Sequence, residues 1–168
     1  MLDSDVIIHF IKGEQLPMIH TIFPEFQIVI IDALFEEELC KYDSTKNYLN
    51  KYLKLYKENI EIIEWNPNYE MTLELTILRK KFGFGESICM VFCKFNQDVI
   101  ASSNIKDITE YCNQNGITWI TTMDFLWKAY TSKLLTEDAC NEFIKRVLDE
   151  GSKLPVRNIK EFTPRELF

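Results

Sequence analysis

Four short apolar runs, "QIVII", "IEIIEW", "DVIA" and "ITWI", recur along the chain, with longer stretches of helical periodicity between them. That alternation restricts the fold more than any other feature. Runs this short and rich in β-branched residues read as strands buried on both faces. The helical stretches are long enough to act as crossovers, which join strands in parallel. The pattern predicts an α/β protein with a mainly parallel central sheet of four to five strands flanked by helices. A chain of 168 residues suits a single domain with a real hydrophobic core.

Leu2 begins a very short first strand, and Val6 to Ile11 reads as a helix that Ser4 or Asp5 can cap. Leu16, Ile19, Ile22 and Phe23 have helical spacing, ended by Pro24. Asp32 and Ser44 can cap the next two helices, the second with an apolar stripe of Tyr48, Leu49, Tyr52, Leu53 and Tyr56. Tyr69 to Lys81 is a helix stopped by "GFG", and Glu86 to Phe95 a mostly apolar one. Asn104 to Gln114 is helical with Gly116 beyond its end, as is Met123 to about Lys133. Thr136 caps a last helix that Gly151 ends. Residues 1–135 are expected to form the main unit, and residues 136–168 a helix and tail packed on it or extending from it.

The hydrophobic fraction of 46% and charged fraction of 27% are ordinary for a soluble globular protein. No apolar run approaches a membrane span. The start lacks the basic, apolar and small-residue order of an export signal, so a cytoplasmic location is expected. The five cysteines are odd in number and form no CxxC pair. Cys89 and Cys93 share a helical face and read as buried reduced thiols. With two histidines, His9 and His20, a zinc site is disfavoured. The net charge of −7 is not the footprint of a strong electrostatic nucleic-acid binder. Carboxylates that hold divalent ions add to such a count, however, and the ions reverse the local field.

In parallel sheets, ligands collect beyond the carboxyl ends of the strands. Asp3 follows the first strand there. Glu37 and Glu38 lie in the helix after the second strand, and Glu86 starts a helix straight after "GFG". Asn104 and Asp107 follow the "DVIA" strand, three apart on one helical face. Gathered acids repel, and some protonate unless a counter-charge is supplied. Mg²⁺ or Mn²⁺ prefers oxygen ligands and leaves room for substrate phosphates. The cluster therefore suits metal-assisted phosphodiester hydrolysis. Each residue also has a structural reading. Asp5 suits a helix cap, Glu36 to Glu38 a solvated run, Glu86 a charge on a helix dipole, and Asp107 a surface first turn.

These motifs, in this order, resemble those of the PIN-domain nucleases over residues 1–135. "LDSDVI" resembles the family's opening, with an apolar residue, an Asp, a small polar residue, and Asn or Asp before an aliphatic pair. "DALFEEEL" is similar to the second motif. Setting Leu34 and Phe35 at its aliphatic pair selects Glu38, and a one-residue slip selects Glu37. "GFGES" resembles the motif that supplies the third acid, here Glu86. "SSNIKDI" resembles the fourth, with Asn104 and Asp107, and "NGITWITT" the strand that closes the sheet. Two departures stand out. Asp5 replaces the commoner Asn, and a Ser103-Asn104 pair stands where many relatives carry an extra acid.

The resemblance implies a Mg²⁺- or Mn²⁺-dependent ribonuclease. Asp3, Glu38, Glu86 and Asp107 would be its metal ligands, and Asn104 would orient a metal-bound water or ligand. It also implies RNA as substrate and a role as the toxin of a toxin–antitoxin pair, with a basic antitoxin-like protein over the acidic site. A homodimer is a further expected partner, and no membrane is. Family members that bind nucleic acid or protein without cutting make a catalytically inactive module the alternative. "DSD" also resembles the aspartate pair of haloacid-dehalogenase-type phosphatases, with Asp3 as nucleophile and Asp5 as general acid. There Val6 departs from the usual Thr, and no later Gly-Asp pair appears. Arg79, Lys80 and Lys81 suit a phosphate contact or a plain helix end. His9 suits a core histidine, and Trp119 and Trp127 suit the core or base stacking. Ser102 and Ser103 suit a turn, or a bond to a metal water or a phosphate.

Overall fold

The computed structural model describes residues 1–41, 43–56 and 58–166, and the backbone alone of 43 and 44. The cap expected of Ser44 therefore rests on a side chain outside the described residues. Helix α1 spans Ser4–Lys12 and turns Val6, Ile7, His9 and Phe10 inward. Its cap is neither Ser4 nor Asp5 but Asp3, whose extended backbone precedes the first turn and whose carboxylate accepts the Ser4 N–H. A turn of 3₁₀ helix, Leu16–Met18, leads into the short α2, Ile19–Ile22.

Strand β1 (Ile28–Ile31) pairs in parallel with β2 (Ile60–Ile63), Ile28 opposite Ile60. Between them lie α3 (Asp32–Glu37), a 3₁₀ turn (Leu39–Lys41) and α4 (Asp43–Leu55). Next come α5 (Tyr69–Leu78) and α6 (Phe84–Asn96). Strand β3 (Ile100–Ala101) pairs in parallel with β4 (Trp119–Ile120) across α7 (Ile105–Asn115). Helices α8 (Thr122–Thr131) and α9 (Glu137–Asp149) complete the chain, with a last 3₁₀ turn at Ile159–Glu161.

The protein is thus mixed α/β, but its described strands form two short parallel pairs and not one sheet of four to five strands. The physical reason is local. The segment between the two pairs is only three residues long before Asp3 caps α1, and it makes a single bridge, too little to count as a strand joining them. Residues 1–3 lie between the pairs. The Leu2 N–H donates to the Val29 carbonyl (2.8 Å) and the Asp3 N–H to the Ala101 carbonyl (2.9 Å). Leu2 makes a single parallel bridge to Ala101.

Helix α6 is the most deeply set, with Ile88, Cys89, Met90, Val91 and Cys93 wholly buried. Burial raises the Cys89 and Cys93 thiols well above their usual range, which leaves both inert. Phe10 meets Phe125 and Phe143 edge-on, at centroid distances of 5.7 and 5.2 Å. Each such ring contributes about 1.5–3 kcal/mol by burial. Phe143 brings α9 onto α1 and α8, and the buried Ile159 donates its N–H to Asn141 (2.9 Å). The segment after α9 is therefore docked at that point. No helix among the described residues is long and apolar enough to cross a membrane.

Candidate functional site

Asp3 ends the segment that bridges to β3 and begins α1, so its side chain is 2% exposed beside the first turn of that helix. Burial pushes its carboxyl well above the usual carboxylate range, and repulsion from Asp5 and Glu86 adds to this. Hydrogen bonds from the Ser102 hydroxyl and the Ser4 N–H (2.7 Å) act in the opposite sense. Asp5 is pushed up to about 6, chiefly by burial and further by Glu86. The Ser103 N–H, 2.7 Å from its Oδ2, opposes the rise. Its other oxygen, Oδ1, is buried with no hydrogen-bond partner among the described residues. An unpaired buried acceptor is costly and marks a place where something is missing.

Glu36 and Glu37 face solvent, whereas Glu38 turns inward at the end of α3. Its carboxylate accepts the Ser4 hydroxyl (2.5 Å) and the Gly85 N–H (2.9 Å). That N–H belongs to the first turn of α6, where amides have no partner within the helix and favour an anion. The structure thus brings Glu38 to the other acids and leaves Glu37 outside. Both glycines of "GFG" make room for carboxylates. A Cβ on Gly85 would fall 2.7 and 2.9 Å from the two oxygens of Glu38, and one on Gly83 would fall 2.3 Å from Oε2 of Glu86. Helix α5 ends at Leu78, short of the expected Lys81 and before "GFG", and α6 begins inside the motif at Phe84, so "GFG" starts a helix and does not end one.

Asn104 occupies the N-cap position of α7. Its amide nitrogen donates to Glu86 Oε1 (2.9 Å) and to Asp107 Oδ2 (2.6 Å). Two carboxylates from different helices are thereby tied to one neutral group. Asn104 is expected to orient a metal-bound water or ligand, and here its side chain holds two of the expected ligands, Glu86 and Asp107, apart. Asp3, Asp5, Glu38, Glu86, Asn104 and Asp107 consequently occupy one connected polar region. Among the described residues, however, no three His, Cys, Asp or Glu side chains form a group that would hold a metal ion as placed. Glu38 and Glu86 direct their oxygens to Ser4, Gly85 and Asn104 instead.

Thr122, which sequence reasoning passed over, carries the wall behind Asp5. Its hydroxyl meets the Ser103 hydroxyl (2.8 Å) and His9 Nδ1 (2.8 Å), and its N–H donates to Ser103 Oγ (3.1 Å). The signal was present, because Thr122 follows β4 just as Asp3 follows the first bridge. His9 is buried as expected of a core histidine, and burial, aided by Lys12, lowers it to about 4. It is neutral at ordinary pH. Trp119 and Trp127 are both partly buried. The Arg165 guanidinium lies 3.3 Å over the Trp119 ring, and Trp127 packs on Tyr130 and Phe162. A scan against models of protein families, a search of curated proteins and a search of solved structures each found no match.

Proposed function

We propose that this chain is a Mg²⁺- or Mn²⁺-dependent nuclease of PIN type that hydrolyses phosphodiester bonds in RNA. One observation carries the reading: the carboxylates of Asp3, Asp5 and Glu86 crowd together at the start of α1, and Asp5 Oδ1 is buried there with no hydrogen-bond partner among the described residues. A cation satisfies both conditions. The donor set is all carboxylate and amide oxygen, which suits a hard ion. Asp3, Glu38, Glu86 and Asp107 would hold it, with Asp5 beside them. When bound, such an ion activates a water and stabilises the leaving oxygen.

The chain's own groups do the rest. Asn104 sets the spacing of Glu86 and Asp107. Ser4 and the Gly85 N–H aim Glu38, and the Ser103 N–H fixes Asp5. The hydrogen bonds of residues 1–3 to Val29 and Ala101 support reading them as a central strand between the two pairs. The sheet order would then be β2, β1, residues 1–3, β3, β4, all beyond whose carboxyl ends the acids lie. The net charge of −7 would complement a basic antitoxin-like protein in the cytoplasm.

The test is hydrolysis of single-stranded RNA in Mn²⁺ by wild type and by Asp3→Asn. The expected result is cleavage that needs the ion and is lost in the variant. Cleavage unchanged by the substitution contradicts the assignment. The net charge of −7 and the Ser103-Asn104 pair in place of an extra acid favour a second reading, a non-catalytic PIN-like binding module. In that case RNA is retained by the wild type and is never cut.

A further inference from the structure

Helix α1 carries Asp5 and, one turn further on, His9, and residues four apart share a helical face. A second path joins the two outside the helix. The Ser103 N–H donates to Asp5 Oδ2 (2.7 Å), the Ser103 hydroxyl meets the Thr122 hydroxyl (2.8 Å), and that hydroxyl meets His9 Nδ1 (2.8 Å). Thr122 is wholly buried and His9 is 6% exposed, so the Thr122 hydroxyl looks to these two neighbours for its bonds.

That hydroxyl has one hydrogen. Bonded to both neighbours, it donates to one and accepts from the other. His9 is neutral at ordinary pH and carries its proton on one ring nitrogen. A proton on Nδ1 is donated to Thr122, and Thr122 then donates to Ser103. Ser103 Oγ accepts that bond and the Thr122 N–H (3.1 Å), which uses both its lone pairs and frees its hydrogen for the acids. A proton on Nε2 runs the chain backwards. Ser103 then donates to Thr122, Thr122 donates to the bare Nδ1, and one lone pair of Ser103 Oγ stays free. Charge chooses between the two senses, because hydroxyl dipoles turn in the local field. Ser103 lies against Asp5, which feels the charges of Asp3 and Glu86, and these carboxylates draw hydrogens toward them. A divalent ion held by the acids reverses that field.

We propose that the His9 ring responds, through Thr122 and Ser103, to the charge in the acid cluster. With the acids uncompensated, its proton sits on Nδ1 and Ser103 offers them a hydrogen. With a divalent cation held there, the proton sits on Nε2 and Ser103 offers a lone pair. Nδ1 gives one proton up and Nε2 takes one from water, so the charge of the ring is unchanged. The free lone pair can accept a hydrogen of the attacking water, which the other sense forbids. His9 and Thr122 are positioning residues, since they act through Ser103. The response to a cation rests on the nuclease reading of the acids; the sense without one does not.

Nitrogen-15 NMR of the whole chain near neutral pH, first in a chelator and then with Mg²⁺, tests this, because protonated and bare ring nitrogens resonate far apart. The chain has two histidines, so His20→Gln identifies the His9 signals. The expected result is that the Nδ1 and Nε2 signals exchange positions when Mg²⁺ binds. Asp5→Asn gives the ring protonated on Nε2 with no ion present. Thr122→Val removes the response to Mg²⁺, and Thr122→Ser keeps it. A proton on Nε2 in the metal-free wild type overturns the inference. So does a ring unmoved by Mg²⁺ whose binding calorimetry registers, an Asp5→Asn ring like that of the wild type, or a response that survives Thr122→Val. If no Mg²⁺ binds, the metal-holding role of the acids fails, and the metal-free comparison of wild type with Asp5→Asn still decides the chain.

Discussion

A carboxyl group that is ionised at neutral pH against the cost of burial stores instability, and Asp5 is such a group. Its pKa of about 6 in the fold exceeds the ordinary 3.8, so the metal-free fold is fully favoured by this residue only below 3.8. That contribution fades as pH rises through 6, a loss of up to about 3 kcal/mol. Asp5→Asn should therefore raise the melting temperature of the metal-free protein at pH 7.5 by several degrees. Calorimetric scanning in a chelator checks this, and a lowered melting temperature contradicts it. His9 acts in the opposite sense. Its pKa of about 4 lies below the ordinary 6.5, so the unfolded chain takes up the proton first. Stability is intact above 6.5 and is lost as pH falls toward 4. The loss of stability between those values should be smaller in His9→Gln, as urea unfolding at each pH would measure.

At the scale of elements, the link between α3 and α6 is the most exposed to a small change. Gly85→Ala places a methyl group against the Glu38 carboxylate, which is the far end of a flexible side chain. The helix is expected to survive, since alanine suits an early helical position by up to about 1 kcal/mol. Glu38 must move, so divalent-ion affinity should fall while the urea midpoint holds; a calorimetric titration beside an unfolding curve separates the two. Much of this layer was legible in the residues. "QIVII" and "IEII" are strands because β-branched runs suit a buried pleat, and Thr136 caps α9 by accepting the Ala139 N–H. The helix ends were less legible. Asp3 displaced Asp5 as cap because the residue before the first turn is fixed by the bridge of Leu2 to Ala101, a contact between segments far apart in order. "DVIA" and "ITWI" shortened to two paired residues each; beside "ITWI" the Ile117 N–H goes to the Cys112 carbonyl of α7 and the Thr121 N–H to Asp124.

Across the whole molecule, distant segments meet at two places, the core beneath α9 and the acid cluster. Ile159 is wholly buried, although it follows the last long helix. Ile159→Ala should cost about 2–5 kcal/mol in urea unfolding, as for any buried isoleucine. A cost near zero would mean that the tail does not secure the fold. The acid cluster was legible as a set of residues, because strand ends select Asp3, Asn104 and Asp107 and the tight "GFG" selects Glu86. Its wiring was not, because hydrogen bonds such as Ser4 to Glu38 and Thr122 to Ser103 depend on packing between helices. Calorimetric titration of Mn²⁺ into the metal-free protein at pH 6, in buffers of different ionisation enthalpy, bears most directly on that cluster. Wild type should bind the ion and release protons, because a bound cation drives them from the crowded acids, and Asp3→Asn should bind at least about tenfold more weakly. A folded wild type that takes up no Mn²⁺ at millimolar concentration would contradict the metal-holding role of Asp3, Glu38, Glu86 and Asp107.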